Sequence, residues 1–213
     1  MASMKNGRAG SDTSNPAGNP AGRRILLLAA LENELTAGSA PAGVEVVFTG
    51  VGKVNAASVA TAAVLRLQPS LVLNFGTVGK VDPAMHGLVE ISRVIQRDML
   101  AMPLAERGVT PLSDEPSAYF SGSESILTSI TCGTGDSFVT GPDAWLLASG
   151  VQVVDMELFA IAHTCHRYGV PWRAFKYITD DANDASHLDW AANVHLGETL
   201  FWARLAGIAL PQL

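Results

Sequence analysis

Thr49–Thr61 read TGVGKVNAASVAT, a glycine-rich turn that runs into a helix of small residues. Such a turn can cradle phosphate or simply reverse the chain. A P-loop needs GxxxxGK[ST], but the first glycine is missing at that spacing. Val54 also stands where a hydroxyl must hold magnesium. A dinucleotide-binding turn fails too, because no GxGxxG opens the helix. What remains is a strand-to-helix turn in which Gly50 and Gly52 tolerate unusual backbone angles.

Outward from this turn, short apolar runs alternate with helical patterns. RILLLAA (24–30), VEVVF (44–48), LVLNF (71–75), GLVEISRVIQRDM (87–99), SILTSITC (125–132), VQVV (151–154) and WRAFKYIT (172–179) read as strands. Helices are expected over 54–68 and over 156–168, the latter with Leu158, Ile161, Cys165 and Tyr168 on one stripe. A last helix stripes Trp190, Val194, Phe201, Leu205 and Ile208. Interleaved strands and helices make an α/β sandwich around one central sheet. Ligands of such sheets lie beyond the carboxyl ends of the strands.

Of the 213 residues 48% are hydrophobic, enough for one sizeable core. A net charge of −6 argues against a nucleic-acid partner. Residues 1–22 are rich in Gly, Ser, Asn, Pro and Ala and are expected to form a disordered tail before one domain over 23–213. The apolar run 25–31 is too short to span a membrane and has no cleavage site, so it reads as a buried strand. Cys132 and Cys165 sit in apolar runs and read as reduced core thiols, which predicts a cytoplasmic protein with no membrane contact.

Five strand ends carry unusual residues. ALENEL puts Glu32 and Glu34 after the first strand, and GTVG (76–79) gives a second glycine turn. GTGDSFV (133–139) gives a third, with Phe138 in it. Asp155 and Glu157 stand at a strand-to-helix junction. YITDDAND ends in Asp180, Asp181, Asn183 and Asp184. Any one of these acids alone fits a helix cap; five such ends together point to a crevice lined by carboxylates and backbone amides. HTCH (163–166) has the residue types of a metal site, but a helix turns the two histidines away from the Cys165 stripe, so no metal is expected. His187 is at most a neighbour of the site, and His86 and His195 are unassigned.

The ordered blocks ALENEL, TGVGKVNAA, NFGTVGKV, GDSFV, VDMELFAIAHTCHRYGVP and KYITDDANDASHL resemble the 5′-methylthioadenosine/S-adenosylhomocysteine nucleosidases of the purine nucleoside phosphorylase and nucleosidase superfamily. The resemblance implies a three-layer α/β/α sandwich around a mixed sheet, and hydrolysis of the N-glycosidic bond of a 5′-modified adenine nucleoside without a cofactor. Cleaving a purine–ribose bond needs an acid at the leaving base and a carboxylate that orients water on the opposite face, two carboxyl groups in different protonation states. By resemblance Asp180 is that acid and Glu34 directs the water. Glu157 grips the ribose hydroxyls and Met156 packs on the sugar. Phe138 stacks on adenine while the Val139 backbone reads its edge. Thr77 and Val51 line the pocket, and Trp190 either covers the 5′ end or is core. The connection 35–44 is shorter than in typical members. Leu31, Lys80, Asp155 and Thr179 replace a usual Met, Gly, Glu and Ser. Segment 96–108, with Met99, Met102 and Leu104, resembles the part of a neighbouring subunit that completes the pocket, which implies a homodimer. Two other functions compete. A phosphorylase would need cations at the glycine turns, where Lys53 and Lys80 are the local ones. A nucleoside-binding module without catalysis would not need both Glu34 and Asp180.

Overall fold

The computed structural model describes residues 24–122, 129–183, 190 and 193–207. The 1–22 tail, residues 125–128 of the expected strand, Asp184, His187 and Ile208 lie outside them.

Among the described residues, nine strands form one mixed sheet. They are β1 (Ile25–Ala29), β2 (Val44–Phe48), β3 (Leu71–Lys80), β4 (Leu88–Ile91), β5 (Arg93–Gln96), β6 (Ala118–Phe120), β7 (Thr131–Thr134), β8 (Val153–Asp155) and β9 (Trp172–Asp180). Helices among the described residues include α1 (Lys53–Leu67), α2 (Ala144–Ala148), α3 (Leu158–Tyr168) and α4 (Glu198–Ala206). β2, β1, β3 and β9 run parallel, and β4 closes that part of the sheet antiparallel to β9. The tip of β3, Gly79 and Lys80, turns to pair with β8 instead. From there β7 and β5 continue in parallel and β6 ends the sheet. β3 thus joins two half-sheets.

Alternation along the strands sorts the core into layers. Leu26, Leu28 and Val72 face a cluster with α1 and α3. Ile25, Leu27, Leu71, Leu73 and Phe75 face α4. Ala56, Ala60 and Ala63 give α1 a stripe without bulk, so it lies close against the sheet and α3. α3 ends at Gly169 with φ 65°, which lets its N–H reach back to Cys165 and His166. The expected α/β/α sandwich is therefore present. Cys132 and Cys165 are buried free thiols, and among the described residues no helix is long and apolar enough to cross a membrane.

Three expectations change. The run 87–99 is two strands, because the burial phase shifts at Ser92. Ile91 is buried before it and Val94 and Ile95 after it, and Ser92 forms a corner bonded to Ile130. Gly76–Gly79 is not a turn: β3 continues through it to Lys80. Tyr168 is exposed rather than part of the buried stripe.

Phe201 is fully buried and stacks on Phe75 at 4.6 Å, with Phe175 at 5.8 Å. Phe201→Ala should destabilise the fold by about 3–5 kcal/mol, measured by denaturant unfolding. A loss below about 1 kcal/mol would mean that α4 is not an integral layer.

Candidate active site

The ends of β1, β3, β7, β8 and β9 surround a cavity of about 290 Å³. All nine residues expected from sequence line it: Glu34, Val51, Thr77, Phe138, Val139, Met156, Glu157, Asp180 and Trp190.

Glu34 sits in the turn after β1 and is only 4% exposed. Its Oε2 accepts the N–H groups of Ala30 and Leu31, both at 3.1 Å. Its Oε1 accepts the Thr77 N–H at 3.0 Å and the Thr77 hydroxyl at 2.9 Å. Trp190 lines the cavity, and its Nε1 donates to the same Thr77 hydroxyl at 2.9 Å. Glu32, by contrast, is exposed.

Asp180 ends β9 beyond a bulge. Val78 pairs with Ile178 but Gly79 pairs with Asp180, so Thr179 is the extra residue. Such bulges re-aim side chains. The Asp180 carboxylate accepts the Thr179 hydroxyl and the Ala182 N–H, both at 3.0 Å. A Cβ on Gly79 would lie 2.6 Å from Asp180 Oδ1, and one on Gly76 would lie 3.3 Å from Lys176 Nζ and 3.4 Å from Glu34 Oε1. These glycines make room for charged groups; no turn requires them.

Asp155 and Glu157 leave β8 toward α3. Asp155 Oδ2 accepts the Leu158 N–H and meets the Lys176 ammonium, each at 2.9 Å. Its Oδ1 accepts the Thr134 hydroxyl at 2.6 Å. Burial opposes the charge on Asp155, but Lys176 and these donors hold its carboxyl below the usual range. Burial likewise works against the Lys176 charge, yet Asp155 and Glu157 raise it above the usual lysine range. Glu157 accepts the Gly52 N–H at 2.8 Å, presented by a turn whose Gly50 and Gly52 have φ of 76° and 91°. Burial, reinforced by Asp155, pushes the Glu157 carboxyl up to about 7 against the pull of Lys176.

The cations differ from the expectation. Lys53 pairs with Asp98 and Asp136, and Lys80 with Asp181 at 2.9 Å. Neither lines this cavity. The buried cations at the site are Lys176 and Arg97, which sequence reasoning passed over. A lysine inside the apolar run WRAFKYIT was the available signal, because a buried ammonium demands a partner. His163 of the HTCH run meets the Tyr119 hydroxyl at 2.7 Å.

The profile of the Phosphorylase superfamily matches residues 30–206. A 5′-methylthioadenosine/S-adenosylhomocysteine nucleosidase of Shewanella piezotolerans is 27% identical over 171 residues, covering 70% of this chain and 74% of the relative. The enzyme of that name from Bacillus cytotoxicus is 28% identical over 161 residues, covering 67% and 70%. Among solved structures, a mutant Helicobacter pylori MTAN with 5′-methylthioadenosine in its active site superposes with a TM-score of 0.76 at 18% identity, covering 88% of this chain and all of the other. A futalosine hydrolase mutant of the same organism gives 0.72 at 21%, covering 83% and 94%. These two likenesses establish the fold.

The raised Glu157 carboxyl has a stability consequence. Its folded pKa of about 7 lies above its ordinary 4.5, so the folded state is favoured most below pH 4.5 and loses that advantage as pH rises through 7. Glu157→Gln keeps an acceptor for Gly52 and removes the charge. Its melting temperature should exceed the wild-type value at pH 8, with the difference shrinking at pH 5. A difference that is equal at both pH values would contradict this reading.

Proposed function

The chain belongs to the Phosphorylase superfamily, and within it we propose that it is a nucleosidase: an N-glycosyl hydrolase that releases adenine from 5′-modified adenine nucleosides such as 5′-methylthioadenosine, S-adenosylhomocysteine or 5′-deoxyadenosine. The observation that carries this reading is the pair of buried carboxyl groups, Glu34 and Asp180, on the wall of one cavity that also holds Glu157 and Phe138. The names of the sequence relatives support it.

In this mechanism adenine stacks on Phe138, and Asp180 delivers a proton to nitrogen 7 as the base departs. Glu157 receives the ribose hydroxyls; its carboxylate also offsets charge on the oxocarbenium-like ring. Glu34 orients and deprotonates the attacking water. Of its four donors only the Thr77 hydroxyl can rotate, and its turning away frees a lone pair on Oε1 for that water. Water rather than phosphate is favoured because the nearby cations are already engaged: Lys53, Lys80 and Lys176 by aspartates, Arg97 by carbonyls.

Segment 96–108 exposes Leu100, Met102 and Leu104 at 70%, 71% and 71%, while Met99 is half-buried. We propose that a second copy of the chain covers them in a homodimer working in the cytoplasm. Leu104→Glu should shift the protein to monomer by light scattering, and a wild-type protein that is itself monomeric would sink the idea.

Adenine release from 5′-methylthioadenosine should be unchanged by added phosphate. Phosphate dependence with a ribose 1-phosphate product would make the protein a phosphorylase. Asp180→Asn and Glu34→Gln should each slow release by roughly 10²–10⁴-fold. Asp181→Asn should be mild, because its pair with Lys80 is on an exposed carboxylate. If Asp181 proves essential and Asp180 dispensable, the acid has been assigned one residue too early.

A further inference from the structure

Arg97 follows β5 and is 5% exposed, yet it lines the active-site cavity. Its guanidinium is spent on the end of β7 and the loop that follows it. Nε donates to the Gly133 carbonyl at 3.2 Å and Nη2 to the Gly135 carbonyl at 3.0 Å. Nη2 also reaches the Ser137 carbonyl, and Nη1 the Ser137 hydroxyl at 3.2 Å. Four of the five N–H groups of an arginine are thereby used. The neighbouring Asp98 accepts the Asp136 N–H at 2.8 Å. Gly135 lies so near that a Cβ there would be 2.9 Å from the Arg97 guanidinium carbon and from the Asp98 carboxyl carbon.

The same loop is held at its far end. Arg107 grips Asp143 with two hydrogen bonds, 3.1 and 2.7 Å, and Asp143 caps α2. Arg107 Nε also donates to the Arg97 carbonyl at 2.7 Å, tying the two clamps together. Phe138 and Val139 are therefore strung between two arginine clamps. Phe138 is 51% exposed and has little packing of its own to fix it. A planar fork bonded to three carbonyls sets the loop's path in a way that one ammonium cannot.

We propose that Arg97 is a positioning residue for the base: by holding residues 133–137 it sets where Phe138 and Val139 meet the purine, without touching the sugar side of the site. This inference rests on the nucleosidase reading. Its signature is a split between the two products. In Arg97→Met, the KM for 5′-methylthioadenosine and the inhibition constant of free adenine should rise together by about ten- to a hundredfold, as expected for a misplaced site loop. Inhibition by 5-methylthioribose, held by Glu157 and Met156, should be unchanged. Arg97→Lys keeps the stem and charge but not the fork. It should show the same split, and it serves if the Met variant does not fold. Equal weakening of both products would mean a merely structural role and overturn the proposal, as would two variants that both bind adenine normally. A wild-type protein that binds no adenine in calorimetry would overturn the purine reading itself, and the positioning role with it.

Discussion

The site depends on one buried ion pair. Lys176 is 1% exposed, in the middle of a strand whose neighbours Ala174 and Phe175 are core. An ammonium so placed costs several kcal/mol unless a countercharge is held against it. Asp155 supplies that charge at 2.9 Å, and it is itself anchored by Thr134 and by the Leu158 N–H. Meeting this demand constrains much of the surrounding chain. β8 must end at Asp155, α3 must begin where its amide can turn back, and β3 must present a glycine opposite Lys176 in register. A side chain at Gly76 would displace the ammonium or Glu34. The same pair that completes the core thereby fixes Asp155 in the floor of the cavity.

That floor leaves an electrostatic surplus. Glu34, Asp155 and Glu157 lie near one lysine, and the strain appears at Glu157, whose carboxyl is pushed up to about 7. Evolution tolerates such unfavourable charge at sites where a ligand relieves it. A sugar that gains positive charge as its base leaves is one species that would. Arranging the carboxylates beforehand means that little reorganisation is needed when the charge develops. Stability and proposed catalysis therefore pull on Glu157 in opposite directions.

Much of this was legible in the sequence. Strands at 25–29, 44–48 and 172–180 and the small-residue helix were readable because apolar period and turn residues agree there. The carboxylates at strand ends were readable because α/β sheets place ligands there. What escaped depends on partners distant in sequence. GTVG carries turn residues, so its continuation as a strand emerges only once Lys176 and Asp180 are known to lie beside it. The bulge at Thr179 leaves no mark in the alternation of WRAFKYITD. Arg97 sits in a run that reads as an ordinary strand end, and its targets are carbonyls, which sequence cannot display.

The two buried cations also change the argument about the nucleophile. Sequence alone offered Lys53 and Lys80 as the local cations that a phosphate could use. An arginine is in fact on the cavity wall. Its fork, however, is committed to Gly133, Gly135 and Ser137, and the lysine beneath is committed to Asp155. A phosphate entering here would have to break those bonds, stranding buried carbonyls or a buried carboxylate, each at the cost of an unsatisfied polar group. It would also have to sit beside Glu34. Water makes neither demand. On this reading discrimination between hydrolysis and phosphorolysis comes from saturating the cations, not from lacking them, and the residue that positions the base loop also withholds its charge from an anionic nucleophile.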